Sequence, residues 1–348
     1  MDIKAKEALD KIIAKSRVHL YKPIQIAEIL YRHRTVGDFD LLKLDDYRNK
    51  SKKWRDEICK TLLGRISTSS AMFQENLFDD NAMPPVLLNE LGIENKRTNG
   101  AVEAYIYRKF TAKHDQLSEA LAYCLNANKA DFKVGDFIAL FRQEAGLKRS
   151  IDKIYEIIVY ALFSTLVEGL NLKIEILVDK KKKALLQEFC DFGKMIMCLD
   201  FKKPKSIQNA MVYRVGVTNA ADRGLDMYSN WGPAIQIKHL ALDEALAEEI
   251  VTSVSSDRIV IVCKEAEKGM IVSLLNQIGW KSKIQSIVTE NDLINWYEKA
   301  LRGKYASLTG DRLISKLGQE IVKEFPSVEQ MPTILEDRHY ELLHDTGW

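Results

Sequence analysis

Apolar positions recur along the chain with two different periods, and the change from one to the other falls near residue 150. Before it, the spacing is helical. Residues 3–15 place Ile3, Ala5, Ala8, Leu9, Ile12 and Ile13 at helical intervals, and similar patterns predict helices over 24–33, 53–66, 100–112 and 115–127. Turn-forming stretches separate them, notably Ser67 to Ser70 and Asp79 to Pro85. After residue 150, short β-branched runs alternate with amphipathic segments, the pattern of an α/β layer structure. Helices are predicted over 151–169, 181–195, 243–253, 265–278, 291–302 and 309–324. Strands are predicted at Leu172–Val178, Met211–Thr218, Leu225–Ser229, Ala234–Leu240, Arg258–Cys263 and Lys283–Val288. The tail after Pro326 reads as irregular, with Trp348 placed to pack back on the body. The resulting organisation is a mainly helical region over 1–149, an α/β core over 150–305, and a C-terminal helix and tail over 306–348.

Composition narrows the class. Of 348 residues, 46% are hydrophobic and the formal net charge is +2, which predicts a sizeable core and excludes intrinsic disorder. No run of about 18 apolar residues occurs, and the N-terminal stretch is an amphipathic mixture rather than an export signal. A cytoplasmic protein with no membrane partner is the expectation. The five cysteines, Cys59, Cys124, Cys190, Cys198 and Cys263, are odd in number. None lies in a Cys-x-x-Cys pair or near a His at zinc-ligand spacing, so reduced thiols are expected. Charge is unevenly spread: residues 1–150 hold 26 Lys and Arg against 21 Asp and Glu, whereas 151–348 hold 25 against 28. A basic groove within a neutral chain is one way to bind nucleic acid.

The chemistry concentrates between Val215 and His239. Asp226 sits in a short strand after a Gly turn, and Gln236 and Lys238, two apart on a strand, project from one sheet face. The turn Asn230-Trp-Gly-Pro233 is short enough to join the two strands as a hairpin, so the three side chains can converge. A carboxylate, a second oxygen ligand and a lysine on one face suit phosphodiester hydrolysis. The carboxylate holds a hard divalent cation such as Mg²⁺, and the lysine orients water or offsets charge on the phosphorus. One Asp is a weak site for such a cation, and the preceding helix offers Glu156 and Glu168 as further carboxylates. Glu156, one turn ahead of an apolar run, is placed to face the sheet, whereas Glu168 ends the helix before Gly169 and reads as a solvated terminal residue. Asp222 lies in a turn and reads as a loop cap. His239 follows Lys238 and so points to the opposite face.

Asp226, then nine residues, then Gln236-Ile237-Lys238 resembles the PD-(D/E)XK nuclease motif with Gln in place of the second acidic residue. The Asp-Arg-Gly-Leu-Asp226 lead-in and an upstream helix bearing Tyr155-Glu156 resemble the Mrr-like branch of that superfamily. Nearly end to end, the chain is similar to type II restriction endonucleases of the HaeII family. The resemblance implies an α/β fold, a PD-(D/E)XK core with a mixed sheet flanked by helices, preceded by the helical domain. It implies Mg²⁺ held by Asp226, Gln236 and Glu156, and Lys238 as the catalytic lysine. It also implies a homodimer that cuts both strands of DNA at a GC-rich palindrome, purine-GCGC-pyrimidine, leaving 5′-phosphate ends, with a cognate DNA methyltransferase. The departures are the uncharged Gln236 and the lack of a Pro before Asp226, which put more weight on the helix carboxylate.

In the helical region, Arg48, Lys50, Lys52, Lys53 and Arg55 gather beside Trp54 at the start of a helix. They are the expected phosphate clamp of a DNA enzyme, with the whole region assigned to DNA recognition and dimerisation. Tyr105 to Lys109 and Lys96 to Asn99 are weaker candidates, and Lys180 to Lys183 reads as a solvated helix start. No residue can be named as a base reader. Two other activity classes compete: a DNA-binding protein with a degenerate site, and a methylation- or structure-dependent nuclease of the same fold.

Overall fold

The computed structural model describes residues 3–16, 19–64, 66, 76–144, 147–215, 225–266, 283–328, 330–343 and 348. They fall into two compact units, one running to Ile157 and resuming at Leu317, the other comprising Ile158–Val215 and the described residues from 225 to Lys316. No helix among the described residues is long and apolar enough to cross a membrane.

The first unit is helical. It contains α1 (Ile3–Lys15), α2 (Tyr21–Thr35), α3 (Leu44–Leu63), α4 (Pro85–Arg97), α5 (Ala101–Leu125), α6 (Val134–Gln143) and the start of α7 (Ile151–Gly169). The two helices expected over 100–112 and 115–127 are one, α5, because Thr111 to Asp115 contains no breaker. α4 arises where only a Pro-Pro turn was expected, since Pro at the first helical position gives up an N–H that has no helical partner. α3 begins nine residues earlier than the expected 53, with Asp45 and Asp46 in its first turn against the helix dipole. The tail is not irregular: α13 (Met331–Asp337) forms there, and Met331, Ile334 and Tyr340 join the core of the helical unit. Trp348 does pack back, donating to Glu94 and stacking edge-on against Tyr105 at 5.7 Å.

Two fully buried carboxylates organise this core. Glu103 accepts from Arg34, Asn95 and the Tyr340 hydroxyl. Glu28 accepts from the Tyr107 hydroxyl and, at 2.6 Å, from Arg338, whose guanidinium lies 3.9 Å from the centre of the Tyr31 ring. Burial and the adjoining carboxylates push the Tyr107 and Tyr340 hydroxyls well above the ordinary phenol range. Both therefore stay protonated as donors.

The second unit opens with an antiparallel ribbon of β1 (Lys173–Leu177) and β2 (Lys205–Asn209). Between them the single helix expected over 181–195 is split at Phe189 into α8 (Lys183–Glu188) and α9 (Cys190–Met197). Neither β2 nor this break was anticipated. A separate mixed sheet follows in the order β3 (Val212–Arg214), β4 (Met227–Ser229), β5 (Ala234–Ile237), β6 (Ile259–Cys263) and β7 (Ile284–Thr289). β3, β4 and β5 are antiparallel neighbours, whereas β5, β6 and β7 run parallel. β6, expected as a buried strand from its run of β-branched residues, is buried at all five positions.

α10 (Glu244–Ser253) is N-capped by Asp243 and packs Ala247, Ile250 and Val251 against Ala234, Ile259, Ile261 and Cys263. α11 (Glu290–Arg302) starts in a capping box of Thr289 with Asp292, and its Tyr297 hydroxyl donates to the Ile158 carbonyl at 2.8 Å. α12 (Ala306–Glu324) carries the chain from the second unit back to the first. The helix expected over 265–278 lies almost entirely outside the described residues. All five cysteines are unbridged, and burial pushes the Cys263 thiol up to about 11 and the Cys124 thiol up to about 12.

Arg338→Ala removes the cation from a carboxylate that stays buried. Urea unfolding should show a loss of about 3–5 kcal/mol, and an unchanged midpoint would mean that Glu28 is satisfied without it. His114, whose ring lies tilted against Phe110 with centroids 4.4 Å apart, is pushed by burial from 6.5 down to about 4. The unfolded chain binds this proton first, so stability is present above pH 6.5 and lost as pH falls toward 4, by up to about 3 kcal/mol. His114→Leu should flatten that part of the stability–pH curve.

Candidate active site

The site grows out of the β4–β5 hairpin. Its connection, Asn230 to Pro233, is closed by Ser229 N–H to the Pro233 carbonyl at 3.0 Å. Asn230 ties the turn to the neighbouring chain, accepting from Met211 N–H and donating to the Asn209 carbonyl. Gly232 has φ +125°, and a Cβ there would lie 2.1 Å from the Arg258 guanidinium, which donates to the Trp231 carbonyl. Only glycine meets both demands.

A hairpin pinned in this way has one register. Met227 pairs with Ile235 and Tyr228 with Ala234. Continuing the ladder by one residue sets Asp226 opposite Gln236, and cross-strand partners share a face. The Asp226 carboxylate ends the ladder by accepting the Ile237 N–H at 2.7 Å. Lys238 continues the parallel pairing, its N–H donating to the Val262 carbonyl at 2.8 Å, and alternation returns its side chain to the face of Gln236. Asp226, Gln236 and Lys238 thus occupy one face of the sheet, as their spacing implied.

Their environments differ. Gln236 is 2% exposed beside Ile261, in the part of the face that α10 covers, and its Nε2 has no hydrogen-bond partner among the described residues. Asp226 and Lys238 are half-buried, and no described residue pairs with the Lys238 ammonium. The amide O and N of Gln are nearly isosteric. Turning the side chain over puts an acceptor oxygen in the place that no protein donor fills, beside a carboxylate. That donor set fits a hard divalent cation, although among the described residues no group of three His, Cys, Asp or Glu gathers at metal-binding distance.

The other expected residues fall in different places. Glu156 is buried in the part of α7 that belongs to the first unit, with both carboxylate oxygens 2.8 Å from Lys153. Glu168, in the second unit, is held by Lys316 and Ser164. Burial raises its pKa, but these hydrogen bonds outweigh it and leave the carboxyl below its ordinary value. Asp222 lies outside the described residues. One pair was missed: Tyr213 and Tyr228 are registered partners two residues along from Asp226 on its face, with rings stacked at 5.0 Å. The signal was the alternation of Asp226 with Tyr228.

On α3, the five expected phosphate contacts divide. Lys50 and Lys53 are exposed, and Arg48 and Lys52 are half-buried. Arg55 is a correction: it is 2% exposed and bonded to Gln25 and Asp56. It sits on the buried stripe with Tyr47, Ser51 and Cys59, each one turn from the next. Among the weaker candidates, Arg97 is paired with Glu94, Arg108 donates to the Trp348 carbonyl, and Tyr107 is fully buried. Lys180, Lys181 and Lys182 are exposed in a short 3₁₀ turn capped by Asp179.

Comparison with known proteins decides the class. The family model for the HaeII restriction endonuclease matches residues 5–340. The chain belongs to the HaeII restriction endonuclease family. It is 60% identical to the type II restriction enzyme HaeII of Haemophilus aegyptius over 93% of this chain and 92% of that one. It is 56% identical to the type II restriction enzyme NgoBI of Neisseria gonorrhoeae over 97% of both. No solved structure matches. As a HaeII-family enzyme the chain is a type II restriction endonuclease, a site-specific deoxyribonuclease acting on DNA within a restriction-modification system. A binder without catalysis and a methylation- or structure-dependent nuclease are thereby set aside. Type II restriction endonucleases generally need a divalent metal, which agrees with the donor set at Asp226 and Gln236.

A buried amide nitrogen with no acceptor costs about 1–3 kcal/mol. Gln236→Met, of similar volume and without the polar group, should therefore raise the unfolding free energy by an amount of that order. A variant no more stable than the parent in denaturant titration would mean that the amide is satisfied.

Proposed function

We propose that this family member hydrolyses DNA at a PD-(D/E)XK-type site in which Asp226, Gln236 and Glu156 are the metal ligands and Lys238 is the catalytic lysine. What supports the reading is the β4–β5 register, which puts Asp226 and Gln236 opposite each other with Lys238 one alternation further along the same face. The mixed order of the sheet and the hairpin that carries the motif agree with such a core. Both helix carboxylates are engaged by lysines, Glu156 by Lys153 and Glu168 by Lys316, and Glu156, one turn ahead of the apolar run of α7, is the one this reading uses. Mg²⁺ is the ion we assign; when bound, such an ion polarises the phosphoryl group and acidifies a water molecule.

This chain's own groups do the rest. The Ile237 N–H fixes the Asp226 carboxylate, and burial under α10 fixes the Gln236 amide, so neither needs to reorganise when DNA arrives. The Lys238 ammonium orients the attacking water and offsets the negative charge that grows on the phosphoryl oxygens. Water adds in line to phosphorus, the bond to the 3′ oxygen breaks, and the products are a 5′-phosphate and a 3′-hydroxyl. Arg48, Lys50, Lys52 and Lys53 serve as phosphate contacts that set the register on the duplex. The substrate is a GC-rich palindrome, for which the family resemblance suggests purine-GCGC-pyrimidine. It is cut on both strands by a two-fold homodimer and protected in the host by a cognate methyltransferase.

Unmethylated plasmid incubated with Mg²⁺ should give discrete fragments whose sequenced ends carry 5′-phosphates, and EDTA should abolish them. Lys238→Ala and Asp226→Ala should each lower the single-turnover cleavage rate by on the order of 10²–10³-fold or more, with DNA affinity in EDTA little changed. Glu156→Gln should fall in the same class. Cleavage by Lys238→Ala at the parental rate would sink the assignment.

A further inference from the structure

The largest unexplained feature is the segment between α7 and the mixed sheet. Of the 24 large apolar side chains exposed among the described residues, 12 fall between residues 170 and 211. On α9, Phe192, Met195 and Ile196 are 56%, 81% and 69% exposed at helical spacing, and Phe189 continues the stripe one turn earlier at 54%. The opposite side of this short element is already spent: Gly193 and Leu199 are buried, and Leu186 lies 2.7 Å from where a Gly193 Cβ would stand. α9 is therefore apolar on both sides, which is the signature of an element buried on both sides. On the ribbon, Leu177 and Ile207 lie on one face and are 62% and 59% exposed, flanking the Lys205–Glu175 ion pair.

We propose that α9 and the β1–β2 ribbon form the surface on which a second copy of this chain docks. Weighted by exposure, these six side chains present apolar area of roughly 700 Å², where a monomer leaves a few hundred bare and a standard interface takes roughly 800 Å² per partner. The ribbon has only two strands, too few for independent stability, and an added layer or strand supplies what it lacks. The choice of a second copy rests on the proposed site: each chain has one Asp226–Gln236–Lys238 set, and a cut through both strands takes two. This moves the dimer contact out of the helical region to which the sequence assigned it.

Charge separates this occupant from DNA. Residues 170–211 contain nine lysines against five carboxylates, and Lys180, Lys181 and Lys182 are exposed. Two copies meeting there join apolar centres against a like-charged rim, so added salt strengthens the contact. The same surface on DNA is weakened by added salt, through counterion uptake.

The test is the mass of the full-length protein by sedimentation equilibrium at low and high salt. It is run for the parent, Phe192→Asp, Met195→Asp and the conservative Phe192→Leu, with circular dichroism and thermal melting as controls for the fold. Expected is a parental dimer that tightens with salt, at least 100-fold weaker association in both Asp variants with unchanged melting, and retention of the dimer in Phe192→Leu. Asp226→Ala should lose cleavage as predicted above and still dimerise, so loss of the catalytic reading and loss of this one are seen separately. A monomer at every concentration would overturn the proposal. So would a dimer indifferent to both Asp substitutions, or variants that keep their mass and lose salt-sensitive DNA affinity instead.

Discussion

The functional reading hangs on a single cross-strand register. Side chains on a strand alternate with period two, so slipping the β4–β5 pairing by one residue would send Asp226 to the face opposite Gln236 and Lys238. The hairpin prevents the slip at both ends. At the turn, Gly232 accepts a left-handed conformation with Arg258 packed against it, and Asn230 is tied on both sides. At the open end, the Asp226 carboxylate itself closes the ladder on the Ile237 N–H. A group proposed to bind metal is therefore also a structural hydrogen-bond acceptor, which couples correct pairing to correct placement.

The two units solve the problem of burial in different ways. The sheet of the second unit is held by apolar side chains, with β6 buried at every position and α10 laid over it. Its exception is the Gln236 amide, a polar group buried with one end unpartnered. The helical unit instead buries two carboxylates and satisfies them through tyrosine hydroxyls and arginines drawn from distant parts of the chain, with Arg338 and Tyr340 arriving from the C-terminal tail. A satisfied network of this kind tolerates no missing member.

Much of the fold was legible. The change of period near residue 150, the strands at 225–229 and 234–240, and the buried run at 258–263 all correspond to elements, because local alternation and turn chemistry carry that information. What failed was of two kinds. α4 and α13 were passed over because Pro and polar residues mask short helices whose apolar face is supplied by the rest of the unit. Arg55 was grouped with its basic neighbours because a charge run looks solvated. The four-residue recurrence of Tyr47, Ser51, Arg55 and Cys59 was the signal that it turns inward. At Glu168 the obstacle was distance: its partner Lys316 is 148 residues away, and nothing local announces the pair.

The sequence by itself determined the family, the α/β character of the second half, and the set of Asp226, Gln236 and Lys238 on one face, since each follows from residue identity, spacing and a short turn. Tertiary structure alone decided which charges are engaged and which apolar side chains remain bare. Burial of Arg55, pairing of Glu168 and exposure of the α9 stripe depend on segments far apart in the chain meeting or failing to meet. Periodicity reports that an element has an apolar side; only packing determines whether anything covers it.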